Sequence, residues 1–91
     1  MRNYYRMDTR ETESGRPATL WFEFVDLQPT RKVTKIGSRW LCSLDTWDPE
    51  AGLLITDQPL HPGEFDEEGE EIPAEEFELA WQCALQARAR R

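Results

Sequence analysis

The sequence predicts an α+β domain, an antiparallel β-meander of about four strands packed on one C-terminal α-helix. Three observations predict it. Residues 18–27, Ala-Thr-Leu-Trp-Phe-Glu-Phe-Val-Asp-Leu, alternate in the manner of a strand, with Leu20, Phe22 and Phe24 on one face. Phe77, Ala80, Trp81, Ala84 and Leu85 recur at helical spacing. Pro73 stands just before that stripe, where its missing N–H leaves no helical hydrogen bond unmade. At 91 residues the chain has the length of a single domain, with strands within residues 3–56, an acidic loop at 57–72 and a helix over about 73–89.

The remaining elements follow in order. Residues 3–8 read as a short edge strand. A polar turn, Glu13-Ser14-Gly15-Arg16-Pro17, separates them from the strong strand at 18–27. That strand is expected to be central, with the helix on its Leu20–Phe22–Phe24 face and a half-wet surface behind. Pro29 is expected to begin a turn, and Lys32-Val33-Thr34-Lys35-Ile36 to form a short charged edge strand. Residues 38–47 form a second good strand, with Trp40, Cys42 and Leu44 on one side and Leu41, Asp45 and Trp47 placed toward the other surface. Asp48-Pro49-Glu50-Ala51-Gly52 is a turn, and residues 53–56 return as the partner of that strand. Only 38% of the residues are hydrophobic, but four tryptophans argue for a packed core, since each large ring removes ~150–250 Å² from water.

Charge is distributed in blocks. The net charge is −7, yet residues 40–87 hold thirteen carboxylates and no Lys or Arg. Glu75 and Glu76 suit the first turn of the helix, and Arg88, Arg90 and Arg91 suit its end, so neither group calls for a partner. The run Glu64, Asp66, Glu67, Glu68, Glu70 and Glu71 has no such local role. Nothing nearby in sequence neutralises it. It reads either as a solvated loop or as a surface for a basic protein, and its field disfavours nucleic acid as a direct ligand. Asp45, Trp47 and Asp48 join this candidate partner-binding set, because an exposed Trp beside carboxylates is a common anchor.

Catalysis and metal binding find little support. Glu64, Asp66, Glu68, Gly69 and Glu75 match the spacing of a calcium loop, but two of the first three ligands are Glu, Pro73 intrudes, and the prolines before Glu64 leave no entering helix. His61 is the single histidine, and Cys42 and Cys83 read as packing thiols, so no triad or zinc set assembles. No cofactor, no metal and no enzymatic activity are expected. No apolar run approaches the ~18 residues of a membrane span. The polar start, Met1-Arg2-Asn3-Tyr4-Tyr5-Arg6, does not read as a secretory leader, so a cytoplasmic location with both thiols reduced is expected.

In size, in its meander with one helix, and in the acidic stretch from Asp45 to Glu78, the chain resembles the small acidic proteins that phages and mobile elements direct against host defence, anti-CRISPR proteins above all. The resemblance is one of kind and carries over no individual site residue. It implies a protein-binding inhibitor, acting in the host cytoplasm, whose acidic surface occupies the basic, nucleic-acid-binding site of a defence complex. The alternative is a non-catalytic adaptor module within a larger assembly.

Overall fold

The computed structural model describes residues 1–56 and 69–91. Five strands form one antiparallel sheet: β1 (Arg2–Thr9), β2 (Ala18–Val25), β3 (Gln28–Ile36), β4 (Arg39–Cys42) and β7 (Gly69–Glu71). Their order is β4-β3-β2-β1-β7. A separate two-stranded hairpin is made by β5 (Trp47–Asp48) and β6 (Gly52–Leu53). The single helix α1 (Ala74–Ala89) closes the chain, with Pro73 at its N-cap. The fold is thus α+β, a meander with a C-terminal helix, and β2 is its central strand as the sequence predicts.

Several elements differ from the sequence expectation, each for a local reason. β1 is not an edge, because Gly69–Glu71, placed by sequence in the acidic loop, pairs with it through Tyr5, Arg6 and Met7. The turn after β2 is Asp26–Leu27, not Pro29. Both turn residues take positive φ, 49° and 69°, the pairing a two-residue hairpin loop needs to match strand twist. The N-terminal ammonium bonds the Asp26 carboxylate at 2.6 Å across this turn. Pro29 lies inside β3, which runs nine residues and is interior rather than an edge. It is tolerated because β4 pairs only with Val33–Ile36, so no neighbour needs a proton from position 29 on that side. A bulge between Glu23 and Phe24 fits the extra residue Thr30, whose hydroxyl donates to the Glu23 carbonyl at 3.1 Å. The strand expected at 38–47 is interrupted after Cys42, and the expected return pairs only at its end, where Leu53 meets Trp47 and the Leu54 N–H donates to the Thr46 carbonyl at 2.9 Å.

The helix packs on the face opposite to the one expected. Its Phe77, Ala80, Trp81 and Ala84 bury against Tyr4, Trp21, Val33 and Cys42. Tyr4 and Phe77 meet at 5.3 Å between ring centroids, and Trp21 stacks on Trp40 at 5.4 Å. Phe22 and Phe24 form a second cluster with Tyr5, Met7 and Leu20 on the other side. The cause of the difference is Glu23, which makes the Trp21 face read as wet but is only 4% exposed. Arg31 Nε donates to its carboxylate at 2.8 Å, the Thr30 hydroxyl donates at 2.7 Å, and Arg31 also holds Glu78 of the helix. The same guanidinium lies 4.9 Å from the Phe77 ring centroid and 5.1 Å from that of Trp81.

Two outcomes follow. Phe77 has no exposed surface, so Phe77→Ala is expected to cost ~3–5 kcal/mol in urea unfolding. Arg31, foremost, holds the Glu23 carboxyl down at about 2, against an ordinary 4.5. A depressed pKa gives stability that is complete above about pH 4.5 and is lost as pH falls toward 2. Glu23→Gln should therefore be less stable than the native chain at pH 7, with the gap closing over that acid window when both are unfolded in urea.

Candidate partner-binding site

The site is built on the chain that leaves β4. A turn closes with the Asp45 N–H donating to the Cys42 carbonyl at 3.1 Å, and the β5–β6 hairpin follows. Asp48 organises the hairpin from inside. Its carboxylate accepts the backbone N–H groups of Glu50 at 2.9 Å and Ala51 at 3.0 Å, and Arg39 Nη2 at 2.6 Å. This local bonding is the usual means by which an aspartate closes a turn. Arg39 chiefly holds the Asp48 pKa below the ordinary aspartate value. Glu50 receives Arg39 at 2.6 Å and also Arg16, and these two, Arg16 first, hold its carboxyl at about 2. Gly52 closes the turn at φ 80°. The Glu13 N–H donates to the Glu50 carbonyl at 3.0 Å and ties the hairpin to the loop between β1 and β2.

Trp47 points the other way. It is 60% exposed, and its cross-strand neighbour Leu53 is 64% exposed. Leu44 is exposed as well. Beside Trp47 opens a cleft of about 670 Å³, lined by Asp45, Trp47, Asp48 and Leu54 and, from the last turn of α1 and the chain end, by Arg88 and Arg91. Arg88 Nε meets Asp45 Oδ2 at 3.2 Å, and Arg91 Nη2 meets it at 3.5 Å. The terminal arginines are therefore tied to the hairpin corner rather than hanging as a tail.

The structure divides the nine sequence-predicted residues. Asp45, Trp47 and Asp48 share the one cleft. Leu41, expected beside Trp47 on an exposed face, is buried at 2%. Glu70 and Glu71 lie on the β7 edge strand. Glu70 is held by Arg6, which also reaches Glu76 in the first turn of the helix at 3.3 Å, and Glu71 accepts Asn3 Nδ2 at 3.3 Å. Glu76 and Arg88 are separated by ~18 Å of helix, so the β7 carboxylates and the Trp47 cleft are distinct regions. Glu64, Asp66, Glu67 and Glu68 lie outside the described residues, as does His61. Glu70 is thus neutralised after all, by an arginine 64 positions away. Gly69, the turn glycine of the calcium-loop spacing, pairs with Met7 in the sheet instead.

Sequence reasoning missed Arg16, Arg39 and Glu50, which fasten the hairpin, and missed the exposure of Leu53. Their pairings span different elements, so no local spacing announces them. Cys42 is buried and Cys83 exposed, where both were expected to be partly buried, and both are free thiols. Among the described residues no group of His, Cys, Asp and Glu side chains is placed to hold a metal ion. No helix among them is long and apolar enough to cross a membrane. No family model, curated protein or solved structure matches the chain.

Because Asp48 holds the hairpin and is 7% exposed, Asp48→Ala should loosen this corner without dissolving the sheet. Amide hydrogen exchange at Ala51 and Leu54 should speed up by a factor corresponding to ~1–3 kcal/mol of lost local bonding, while the β2 amides keep their native protection.

Proposed function

We propose that the protein is a non-catalytic binding module that docks on another protein through the Trp47 corner. The observation that carries this reading is the placement of Trp47. A tryptophan 60% exposed, paired with an exposed leucine on a hairpin fastened by the ion pairs of Asp48 and Glu50, is an apolar anchor beside an open cleft. The corner gains little internal stability from leaving that ring in water. Its best use is in a partner's pocket.

The partner is a protein with a basic surface, and the consequence of docking is inhibition of whatever nucleic acid that surface holds. The net charge of −7 supports this choice through long-range attraction. Ion pairs within the fold confine the carboxylates of Asp45, Asp48 and Glu70, so charge steers encounter and Trp47 supplies the hold. An anti-CRISPR-like role is the narrow form of this reading, and an adaptor role in an assembly is its rival.

The test combines affinity capture from the native host with a salt series and a nucleic-acid competitor. Trp47→Ala should leave thermal stability within ~0.5 kcal/mol of native, as an exposed substitution does. It should speed dissociation of the captured partner at least about tenfold, the mark of a lost anchor. Added salt should slow association, and the partner's nucleic acid should compete. Simultaneous binding of both, with salt-independent affinity, leaves the adaptor role standing and rejects the inhibitor.

A further inference from the structure

Behind the hairpin, on the sheet face away from α1, lies a cavity of about 330 Å³. Its floor is a row of neighbours across three strands, Met7 on β1, Leu20 on β2 and Thr34 on β3. The β5–β6 hairpin and the loop after β1 form its walls, with Leu53 closing one side. Both walls are fixed, since Glu50 bonds the loop backbone and Arg16 and Arg39 clamp Glu50. The volume is at the lower end of the ~300–1,000 Å³ typical of small-molecule sites.

Lys32 lines the same cavity, whose wall is part apolar and part polar. It stands beside Phe22 across the β2–β3 ladder, with its Nζ 5.6 Å from the ring centroid. Among the described residues no carboxylate lies within ion-pair distance of it, as is also true of Arg2, Arg10, Lys35 and Arg90. A lysine that only covered Phe22 with its stem would carry its ammonium out to water. Here the residue is half-buried with its Nζ over the Phe22 ring, and burial lowers the pKa of the amine. Thr34, only 3% exposed, adds a hydroxyl to the same floor. Glu11 and Glu13 line the opening but are exposed, so the negative potential is at the mouth and the positive charge is inside.

We infer that this cavity binds a small monocarboxylate with an apolar body, its carboxylate on Lys32 and Thr34 and its hydrocarbon between Met7, Leu20 and Leu53. The acidic mouth opposes phosphates and dicarboxylates, whose second charge would sit against Glu11 and Glu13. The cavity does not include Trp47, although Leu53 adjoins both surfaces.

The experiment titrates the isotope-labelled full chain, followed by its amide resonances, with 4-methylpentanoate and with its neutral counterpart 4-methylpentan-1-ol. The carboxylate should give saturable shifts at Leu20, Thr34 and Leu53, and the alcohol should bind at least about tenfold more weakly. Lys32→Met, with a native spectrum elsewhere, should lose that preference. Absence of saturable shifts at millimolar carboxylate, or equal binding of acid and alcohol by the native chain, overturns the proposal. So does undiminished carboxylate binding by Lys32→Met. The acid–alcohol comparison on the native chain decides the matter even where the variant fails to fold.

Discussion

The Arg31 guanidinium is the interaction on which the arrangement of layers depends. It lies between Glu23 on the central strand and Glu78 on the helix, with the Phe77 and Trp81 rings within about 5 Å of it. A carboxylate as buried as Glu23 is strongly unfavourable alone, and removing one partner of such a pair typically costs ~3–5 kcal/mol. The bridge therefore does more than add attraction. It favours one of the two sheet faces for this helix, because Arg31, which pairs with Glu78 of α1, lies on that face beside Glu23. The Thr30 bulge serves the same centre by bringing a hydroxyl onto Glu23.

That dependence explains what the sequence could and could not disclose. The 18–27 alternation and the Phe77–Leu85 stripe are local, and both elements were legible with nearly correct bounds. The face the helix covers was not, since β2 is apolar on both sides and Glu23 marked the wrong one as wet. The neutral pairing of Glu23 depends on a register between β2, β3 and α1 that no single segment encodes. The same holds for charge. Read along the chain, cations and carboxylates form separate blocks, but folding interleaves them, with Arg6 on Glu70, Arg39 on Asp48 and Arg88 on Asp45. The exposure of Trp47 was legible because it stands beside carboxylates. Leu53 opposite it and the cleft that Trp47 shares with Arg88 required the hairpin to be closed.

The hairpin also links the two surfaces of functional interest. Its Trp47 lines the cleft shared with α1, and its residues 51–53 wall the cavity next to Lys32. Asp48, Glu50, Arg16 and Arg39 hold it in place. Individually exposed ion pairs contribute little, about 0–1 kcal/mol. Here they form a network around a nearly buried aspartate, and its value is in positioning rather than in total stability. A rigid corner loses less conformational freedom on docking, which favours affinity without added contact area.

The short outer strand β7 has a consequence for the behaviour of the molecule in concentrated solution. An open sheet edge is a template on which another chain can add a strand, the first step toward fibrils or swapped dimers. This edge is three residues long and reads Gly-Glu-Glu, with both glutamates exposed. A second copy approaching it would bring further glutamates onto ones already held by Arg6 and Asn3, and among the described residues it would find few bonding groups. The acidic composition thus also keeps neighbouring copies apart, a colloidal role that any future redesign of β7 toward longer or neutral sequences would forfeit.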